Sequence, residues 1–160
     1  MDPITTRTAT PDDLDTLLRF EQGLIEAERP MDPTIQDGPI HYYDLPAMLA
    51  APHIEVIVAT RGTKIIGCAY ARIEKGRHYL KHQHHAYCGF MYVDPEYRGQ
   101  GVNQVIIAAL KRWVASQQVT EMVLEVYVSN QNAVRAYEKA GFVHHLYQMR
   151  LPLQDDPGEA

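Results

Sequence analysis

The chain of 160 residues has the length of one compact domain, and its 46% of apolar residues is enough for a buried core. Its formal net charge of -5 argues against a nucleic-acid-binding surface, which needs a basic field. No apolar run approaches the roughly 18 residues that span a bilayer, and the first residues lack the basic and apolar regions of a secretory signal. We therefore expect a cytoplasmic protein with no nucleic-acid or membrane partner.

The N-terminal half has weaker patterns than the C-terminal half. Residues 4–8 alternate like a strand, and Thr10-Pro11-Asp12-Asp13 has the composition of a helix start. Apolar residues then recur at helical spacing until Arg29-Pro30 ends the helix. The remaining elements are a loop over 30–43, a short helix over 45–50, and a hairpin formed by strands at 54–59 and 64–73.

The C-terminal half predicts alternating strands and helices, which require crossover connections. The elements are a strand at 87–93, a helix at 101–117, a strand at 122–128, a helix at 130–140 closed by Gly141, and a strand at 142–151. Together the two halves predict an α/β fold with a mixed sheet and helices on its faces. We expect one domain over residues 1–153 and a frayed polar tail over 154–160.

The two cysteines, Cys68 and Cys88, lie in apolar strand-like segments and match no metal-ligand spacing. We expect two buried free thiols in a reducing compartment. A disulfide or a catalytic thiol is the alternative.

The segment Arg98-Gly99-Gln100-Gly101-Val102-Asn103 joins a predicted strand to a predicted helix. Its two glycines let the backbone approach a ligand closely, and the helix start offers unpaired N–H groups beside the permanent charge of Arg98. This chemistry suits a pyrophosphate, although a plain strand-to-helix turn has the same glycines. There is no Gly-Lys-Ser/Thr, and Gln104 occupies the position of a third glycine, which disfavours nucleotide hydrolysis and nicotinamide binding.

Two blocks resemble the GNAT superfamily of acyl-CoA-dependent N-acyltransferases. Val93-Asp-Pro-Glu-Tyr-Arg-Gly-Gln-Gly101 is similar to its acetyl-CoA signature. Leu124-Glu-Val-Tyr-Val-Ser-Asn130, followed by Ala136-Tyr-Glu-Lys-Ala-Gly-Phe142, is similar to its other signature. The resemblance covers about residues 87–152 and implies a GNAT-like fold with the order β1-α1-α2-β2-β3-β4-α3-β5-α4-β6.

The resemblance also implies an N-acetyltransferase that moves the acetyl group of acetyl-CoA to a primary amine of a small molecule or peptide in a ternary complex, without a metal. The fourth strand at Met91, Tyr92 and Val93 would bind the pantetheine arm through its backbone. The pyrophosphate would be held by the backbone N–H groups of Arg98, Gly99, Gln100, Gly101, Val102 and Asn103. Asn130 would contact the pantetheine arm or orient the site.

Two residues carry the chemistry that the resemblance implies. Tyr137 would protonate the departing thiolate; the alternative is an aromatic core residue. Glu125 stands mid-strand and is the candidate base, or else a solvated carboxylate. The chain departs from the family where Asn103 replaces a small residue and where Gly89 and Phe90 replace a fourth-strand acid. For that reason a non-catalytic acyl-CoA-binding sensor or interaction domain is the alternative function, and a homodimer stays open.

The acceptor side has the least distinctive sequence. His78, His82, His84 and His85 crowd one hairpin, which is a solvated tip, a wall of the acceptor site or a metal site. His144 and His145 fit a surface or dimer-edge pair. A group of acids suits a cationic amine or a solvated helix face, and its members are Glu21, Glu26, Glu28, Asp32 and Asp37.

Overall fold

A computed structural model describes residues 1–153. It contains β1 (Ile4–Thr8), α1 (Leu14–Glu28), α2 (Leu45–Ala50), β2 (Ile54–Arg61), β3 (Lys64–Lys75), β4 (His84–Val93), α3 (Val102–Ser116), β5 (Met122–Val123) and α4 (Gln131–Ala140). The sheet order is β1-β2-β3-β4-β5, antiparallel except for the parallel pair β4–β5. The tail predicted over 154–160 lies outside the described residues. No helix within residues 1–153 is long and apolar enough to cross a membrane.

Alternating residues of β2 divide the core between the two faces of the sheet. Ile57 and Ala59 face α3, while Val56 and Val58 face α1 and α2. Helices therefore cover both faces, which confirms the predicted mixed α/β architecture. The start of α3 lies close to the sheet at Gly67, where a Cβ atom would lie 3.1 Å from the side chains of Val102 and Ile106.

The entry into α1 is held by a buried carboxylate. Asp13 accepts two hydrogen bonds from the Arg7 guanidinium, at 2.7 and 2.9 Å, and one from the Thr10 N–H group at 2.8 Å. The hydrogen bonds from Arg7 lower the pKa of Asp13, while burial opposes them. The contact ties the end of β1 to the first turn of α1, where the sequence predicted the helix start.

The structure corrects the last two predicted strands. Only Met122–Val123 pairs with β4, instead of the whole of 122–128, and residues 142–151 form no strand among the described residues. A strand requires a neighbouring edge for its backbone groups. Beyond Tyr87, β4 no longer lies beside β5, and the C-terminal residues do not return to the sheet. The six-stranded order predicted for one chain is therefore wrong, although the fold class is confirmed.

We predict that Asp13→Asn lowers the free energy of unfolding by about 1–2 kcal/mol at pH 7, because it breaks a charged contact whose arginine is partly solvated. A lowered carboxyl pKa stabilises the fold above the unfolded pKa, and this contribution is lost as the pH falls through the folded pKa. In urea titrations the difference from wild type should shrink at acid pH. The exposed neighbour variant Asp12→Asn should change stability by less than about 0.5 kcal/mol; an equal loss in both variants would contradict the assignment.

Candidate functional site

A cleft opens where β4 and β5 diverge. The two strands pair only at Ala86–Met122 and Tyr87–Val123. In β4 the buried Phe90 has a φ of 52°, and the register with β3 shifts at this point. Such a bulge bends a strand and often lies next to a functional site. Among residues 1–153 the edge of β4 from Cys88 to Val93 is thus left without a strand on its β5 side, which is where the resemblance implies the pantetheine contacts of Met91 and Val93.

Tyr92 has its side chain on the α1 side of the sheet, away from the open edge. Its ring centroid lies 4.9 Å from that of Phe20, and its hydroxyl occupies the space that a Cβ atom at Gly23 would need. Only the backbone of Tyr92 is therefore available to an extended ligand along β4.

The segment from Arg98 to Asn103 forms a cradle at the end of β4. Gly99 and Gly101 have φ values of 73° and 83°, and a Cβ atom at either position would meet no atom within 4 Å. The backbone N–H groups from Gly99 to Asn103 donate no hydrogen bond to any acceptor among residues 1–153. A run of unpaired N–H groups at the positive end of α3, open to solvent, is an anion-binding arrangement.

Arg61 and Arg98 are the basic side chains at this cradle, whereas Lys64 lies beside it and pairs with Asp94 and Glu96 at 4.0 and 3.4 Å. Arg98 donates to the Val93 carbonyl oxygen at 3.1 Å, and Arg61 donates to Gln100 at 2.8 Å. Arg61 and Lys64 lie over the Tyr97 ring, 5.5 and 4.8 Å from its centroid. Sequence reasoning missed Arg61, since it lies at the β2–β3 turn and reaches the cradle only through sheet pairing. In the sequence, the only indication of this position was the predicted turn at Arg61-Gly62.

Val102 and Asn103 begin α3. The Val102 side chain is buried in the core, which leaves its N–H group as the part that faces the cradle. The Asn103 Oδ1 atom is buried and has no partner among the described residues. Rotation of this amide would present its NH2 group instead. Asn103 is thus an unsatisfied polar group in the first turn of the helix, which is the position where the family has a small residue.

Tyr137 lies on α4, close to α3. Gln104 donates to the Ala136 carbonyl oxygen at 3.3 Å and Lys111 to that of Ala140 at 2.7 Å, which joins the two helices. Burial, and then the nearby Cys88 thiol, raise the pKa of Tyr137 to about 12. The phenol therefore stays protonated at neutral pH and can donate a hydrogen bond.

Asn130 has a local role in the structure. Its side-chain oxygen accepts a hydrogen bond from the Ala133 N–H group at 3.3 Å and caps α4. Gly141 closes the other end of α4 with a φ of 104°, as predicted. The interval from Asn130 to Tyr137 thus corresponds to one capped helix that presents the phenol.

Glu125 lies at the rim of the cleft. Its carboxylate is exposed and accepts a hydrogen bond from the Tyr87 hydroxyl at 3.4 Å. Burial, followed by the negative charge of Glu125, raises the pKa of Tyr87 above its usual value. The structure therefore brings Glu125 to the open edge between β4 and β5, with a hydroxyl partner and access to solvent.

Glu28 is a carboxylate that sequence reasoning only grouped with other acids. It is half-buried at the end of α1, and burial raises its pKa, opposed by a hydrogen bond from Tyr42. Burial is the main cause of the raised pKa of Tyr127 and of Tyr137, and the charge of Glu28 is a lesser cause for both. The signal was its helical spacing from the buried residues Glu21 and Ile25, which puts it on the inward face.

Glu21, in contrast, is fully buried and is not available to a substrate. It accepts hydrogen bonds from the N–H groups of Tyr42 and Tyr43, at 3.0 and 2.9 Å, and lies 2.6 Å from His41 Nδ1. The prediction that offered Glu21 a place on a solvated or substrate-facing surface is wrong, because three donors satisfy it within the protein. Its role is to fix the loop before α2, so that Tyr43 packs on Phe90.

The other acids and the histidines are dispersed. Glu26 pairs with Arg29, and Asp32 accepts from Tyr127. The four histidines from 78 to 85 lie at or beside the β3–β4 hairpin tip, where His85 pairs with Glu74 at 3.2 Å. Within residues 1–153 no group of three or more potential ligands could hold a metal ion.

Both cysteines are buried and free, as predicted. Cys68 lies in β3 and Cys88 in β4. Burial raises the pKa of Cys88 to about 12 and raises that of Cys68 as well, so neither is a thiolate at neutral pH. A catalytic thiol at either position is therefore disfavoured.

Comparison with known proteins agrees with this geometry. A family model described as "Acetyltransferase (GNAT) family" matches residues 20–142. No curated protein matches the sequence significantly.

Solved structures have the same fold. A tetramutant of the BH1408 protein from Bacillus halodurans has a TM-score of 0.82 at 23% identity, covering 92% of this chain and 99% of that one. A predicted acetyltransferase from Clostridium acetobutylicum, solved with acetyl-CoA, has a TM-score of 0.71 at 18% identity, with coverages of 94% and 96%. AAC(6')-Iy, in complex with the bisubstrate analogue CoA-S-monomethyl-acetylneamine, has a TM-score of 0.73 at 20% identity, with coverages of 95% and 99%. At these identities the similarity establishes the fold.

Proposed function

The chain belongs to the Acetyltransferase (GNAT) family, and we propose that it transfers the acetyl group of acetyl-CoA to a primary amine of a small molecule or peptide. The observation that carries the proposal is the row of unpaired N–H groups from Gly99 to Asn103, next to the open edge of β4. A pyrophosphate has the negative charge that suits the row of N–H groups. An amide-containing pantetheine arm has the donors and acceptors that suit the open edge of β4. Acetyl-CoA contains both groups.

In the proposed reaction the neutral amine attacks the thioester carbon directly in a ternary complex. A carbon–nitrogen bond forms, the carbon–sulfur bond breaks, and the amine gives up a proton. Backbone N–H groups in the cleft stabilise the oxygen that becomes negative. Holding both substrates in one cleft lowers the barrier further, because it removes the entropic cost of their encounter.

Tyr137 is the proposed acid for the departing thiolate. With its pKa near 12, the phenol is a weaker acid than a thiol of pKa about 8.5. It therefore stabilises the thiolate as a hydrogen-bond donor, and a proton that it passes to the departing sulfur is returned to the phenol from solvent. A phenylalanine at position 137 would keep the packing with Phe142, whose ring centroid lies 5.9 Å from that of Tyr137, but would remove the hydroxyl donor.

Two carboxylates have separate roles in the proposal. Glu125, which is solvated and touches Tyr87, takes the proton from the amine, directly or through water. Glu28, half-buried among tyrosines, holds the positive charge of the incoming ammonium group. The acceptor is a primary amine, and the aminoglycoside portion of the ligand of AAC(6')-Iy makes aminoglycosides one class to include among the amines tested.

The two buried free thiols fit a reducing compartment, and we propose a cytoplasmic location. We also propose that the protein acts as a homodimer without nucleic-acid, membrane or metal partners, as one domain over residues 1–153.

Cofactor binding can be tested with a matched pair of glycines. We predict that Gly101→Ala weakens acetyl-CoA binding about tenfold, since the left-handed conformation at φ 83° costs an L-residue about 1–2 kcal/mol and its relief turns the N–H groups away. Gly38→Ala has a similar φ of 79° and equally open space, but lies outside the cradle. Isothermal titration calorimetry should give a wild-type dissociation constant for Gly38→Ala; equal weakening in both would remove the cradle from the proposal.

Tyr137→Phe tests the acid. We predict that kcat falls roughly 100-fold or more while acetyl-CoA binding changes little, because only the phenolic hydrogen bond to the thiolate is lost. Thiol release should be measured with dithiobis(nitrobenzoate) over a panel of peptide, polyamine, amino-acid and aminoglycoside acceptors. Unchanged turnover would remove Tyr137 from the mechanism. Tight acetyl-CoA binding with no release for any amine would favour the acyl-CoA sensor.

The two carboxylates should differ in which kinetic constant they change. We predict that Glu125→Gln lowers kcat roughly 100-fold, whereas Glu28→Gln mainly raises the KM of the amine. Because the pKa of Glu28 is raised, wild-type amine binding should weaken as the pH falls through a value above the usual carboxyl range. Glu26→Gln, on the exposed face of α1, is the control. A KM effect for Glu125 and a kcat effect for Glu28 would reverse the two roles.

A further inference from the structure

Glu21 lies in the middle of α1 and is completely buried. Its Oε2 atom accepts from the N–H groups of Tyr42 and Tyr43, at 3.0 and 2.9 Å, and its Oε1 atom lies 2.6 Å from His41 Nδ1. Burial of a carboxylate is unfavourable unless donors satisfy it. What Glu21 adds to the fold, compared with an apolar side chain of the same size, is a set of acceptors that fix residues 41–43.

The loop that contains these donors is tied to the same helix at other points. Gln22 donates to the Ile40 carbonyl oxygen at 3.0 Å, and Arg29, which follows the helix, donates to two carbonyl oxygens earlier in the loop. A segment held by several such bonds opens less readily than a free loop. The hydrogen bonds of Glu21 therefore decide the position of 41–43 within a loop that is already confined.

Tyr42 connects two carboxylates of α1. Its N–H group donates to Glu21, and its hydroxyl donates to Glu28. Because Glu21 and Glu28 are seven residues apart, they lie on the same face of the helix and about 10 Å apart along its axis. The Tyr42 side chain therefore extends along α1 from one carboxylate to the other, and Glu21 fixes the backbone from which the hydroxyl reaches Glu28.

Tyr43 depends less on Glu21 than Tyr42 does, although the same oxygen bonds both. The Tyr43 ring packs on Phe90 and Tyr70, with centroids 4.9 and 5.6 Å away. Among residues 1–153, the one aromatic ring that contacts the Tyr42 ring is that of Tyr43, at 5.8 Å. Loss of the buried acceptor should therefore displace Tyr42 first.

The contact with Tyr42 opposes the other influences on Glu28. Burial raises the pKa of Glu28, the hydrogen bond from Tyr42 lowers it, and the negative charge of Asp32 raises it. The other titratable groups around this contact are Arg29, Tyr43, Tyr127 and Tyr137. The Tyr42 hydroxyl thus favours the charged form of a carboxylate that its surroundings would otherwise neutralise.

We propose that Glu21 is a positioning residue for the amine acceptor, because it holds the Tyr42 hydroxyl on Glu28 and so keeps that carboxylate where it receives the amine. The inference rests on the proposed function, in which Glu28 holds the incoming ammonium group. Glu21 itself never touches the substrate, since it is completely buried. It acts on the affinity for the amine from inside the core, through the backbone of Tyr42.

Two substitutions of similar length test whether Glu21 acts as an acceptor. Glu21→Gln keeps an oxygen for the N–H groups of Tyr42 and Tyr43, and its NH2 group can donate to His41 Nδ1. Glu21→Met fills the same space but offers only a weakly accepting sulfur. We expect Glu21→Met to raise the KM of the amine about tenfold, with the acetyl-CoA dissociation constant within about twofold of wild type. Glu21→Gln should match wild type in both. A KM raised equally by both variants, or by neither, would overturn the proposal.

Carbon-13 NMR titration of the Glu28 carboxyl measures the same contact in the full chain without a substrate. The pKa of Glu28 should be higher in Tyr42→Phe than in wild type, because the hydroxyl no longer stabilises the carboxylate. Glu21→Met should raise it in the same direction, and the double variant no further, since both changes remove one contact. If Glu21→Met does not fold, Glu21→Asp, which withdraws the carboxylate by one methylene group, replaces it.

The kinetic and NMR measurements separate two kinds of failure. A wild type that acetylates no amine, in a protein where Glu21→Met and Tyr42→Phe both raise the pKa of Glu28, would refute the proposed function but support the positioning of Glu28 by Glu21. An unchanged pKa of Glu28 in the folded Glu21 variant would overturn the positioning role, whatever the turnover.

Discussion

The separation of β4 from β5 is the constraint on which the rest of the molecule depends. The strands pair over two residues and then part, at the bulge where the buried Phe90 has a positive φ. Because the end of β4 is released from β5, its backbone faces a cleft. The same release places the turn at Gly99–Gly101 at the mouth of the cleft, where its N–H groups have no acceptor within residues 1–153. A fully paired sheet would have neither feature.

Backbone groups that no strand pairs must find another partner, in solvent or in a ligand. On the β4 side the proposed partner is the pantetheine arm of acetyl-CoA, and Gly101→Ala tests the cradle that would hold the same molecule.

Three glutamates illustrate how environment assigns a role to one side chain. Glu21 is fully buried, and three donors on the loop at 41–43 satisfy it, so it holds structure together. Glu28, about two helical turns further along α1, is half-buried and has a raised pKa. Glu125 is exposed beside Tyr87. Desolvation and the number of donors separate these roles, and residue type does not.

The sequence by itself determined the helices, the hairpin, the cradle and the family, because these depend on local spacing, caps and glycine conformations that neighbouring residues specify. It located Tyr137 on a capped helix by the same local rules, but its prediction of a strand at Glu125 is wrong, because β5 ends at Val123. Only the tertiary structure decided that Arg61 reaches the cradle and that Glu28 faces inward among tyrosines. It also decided that residues 142–151 pair with no strand in the described part of the chain. Those facts depend on which strands meet in space, and pairing between distant segments leaves no periodic signal in the sequence.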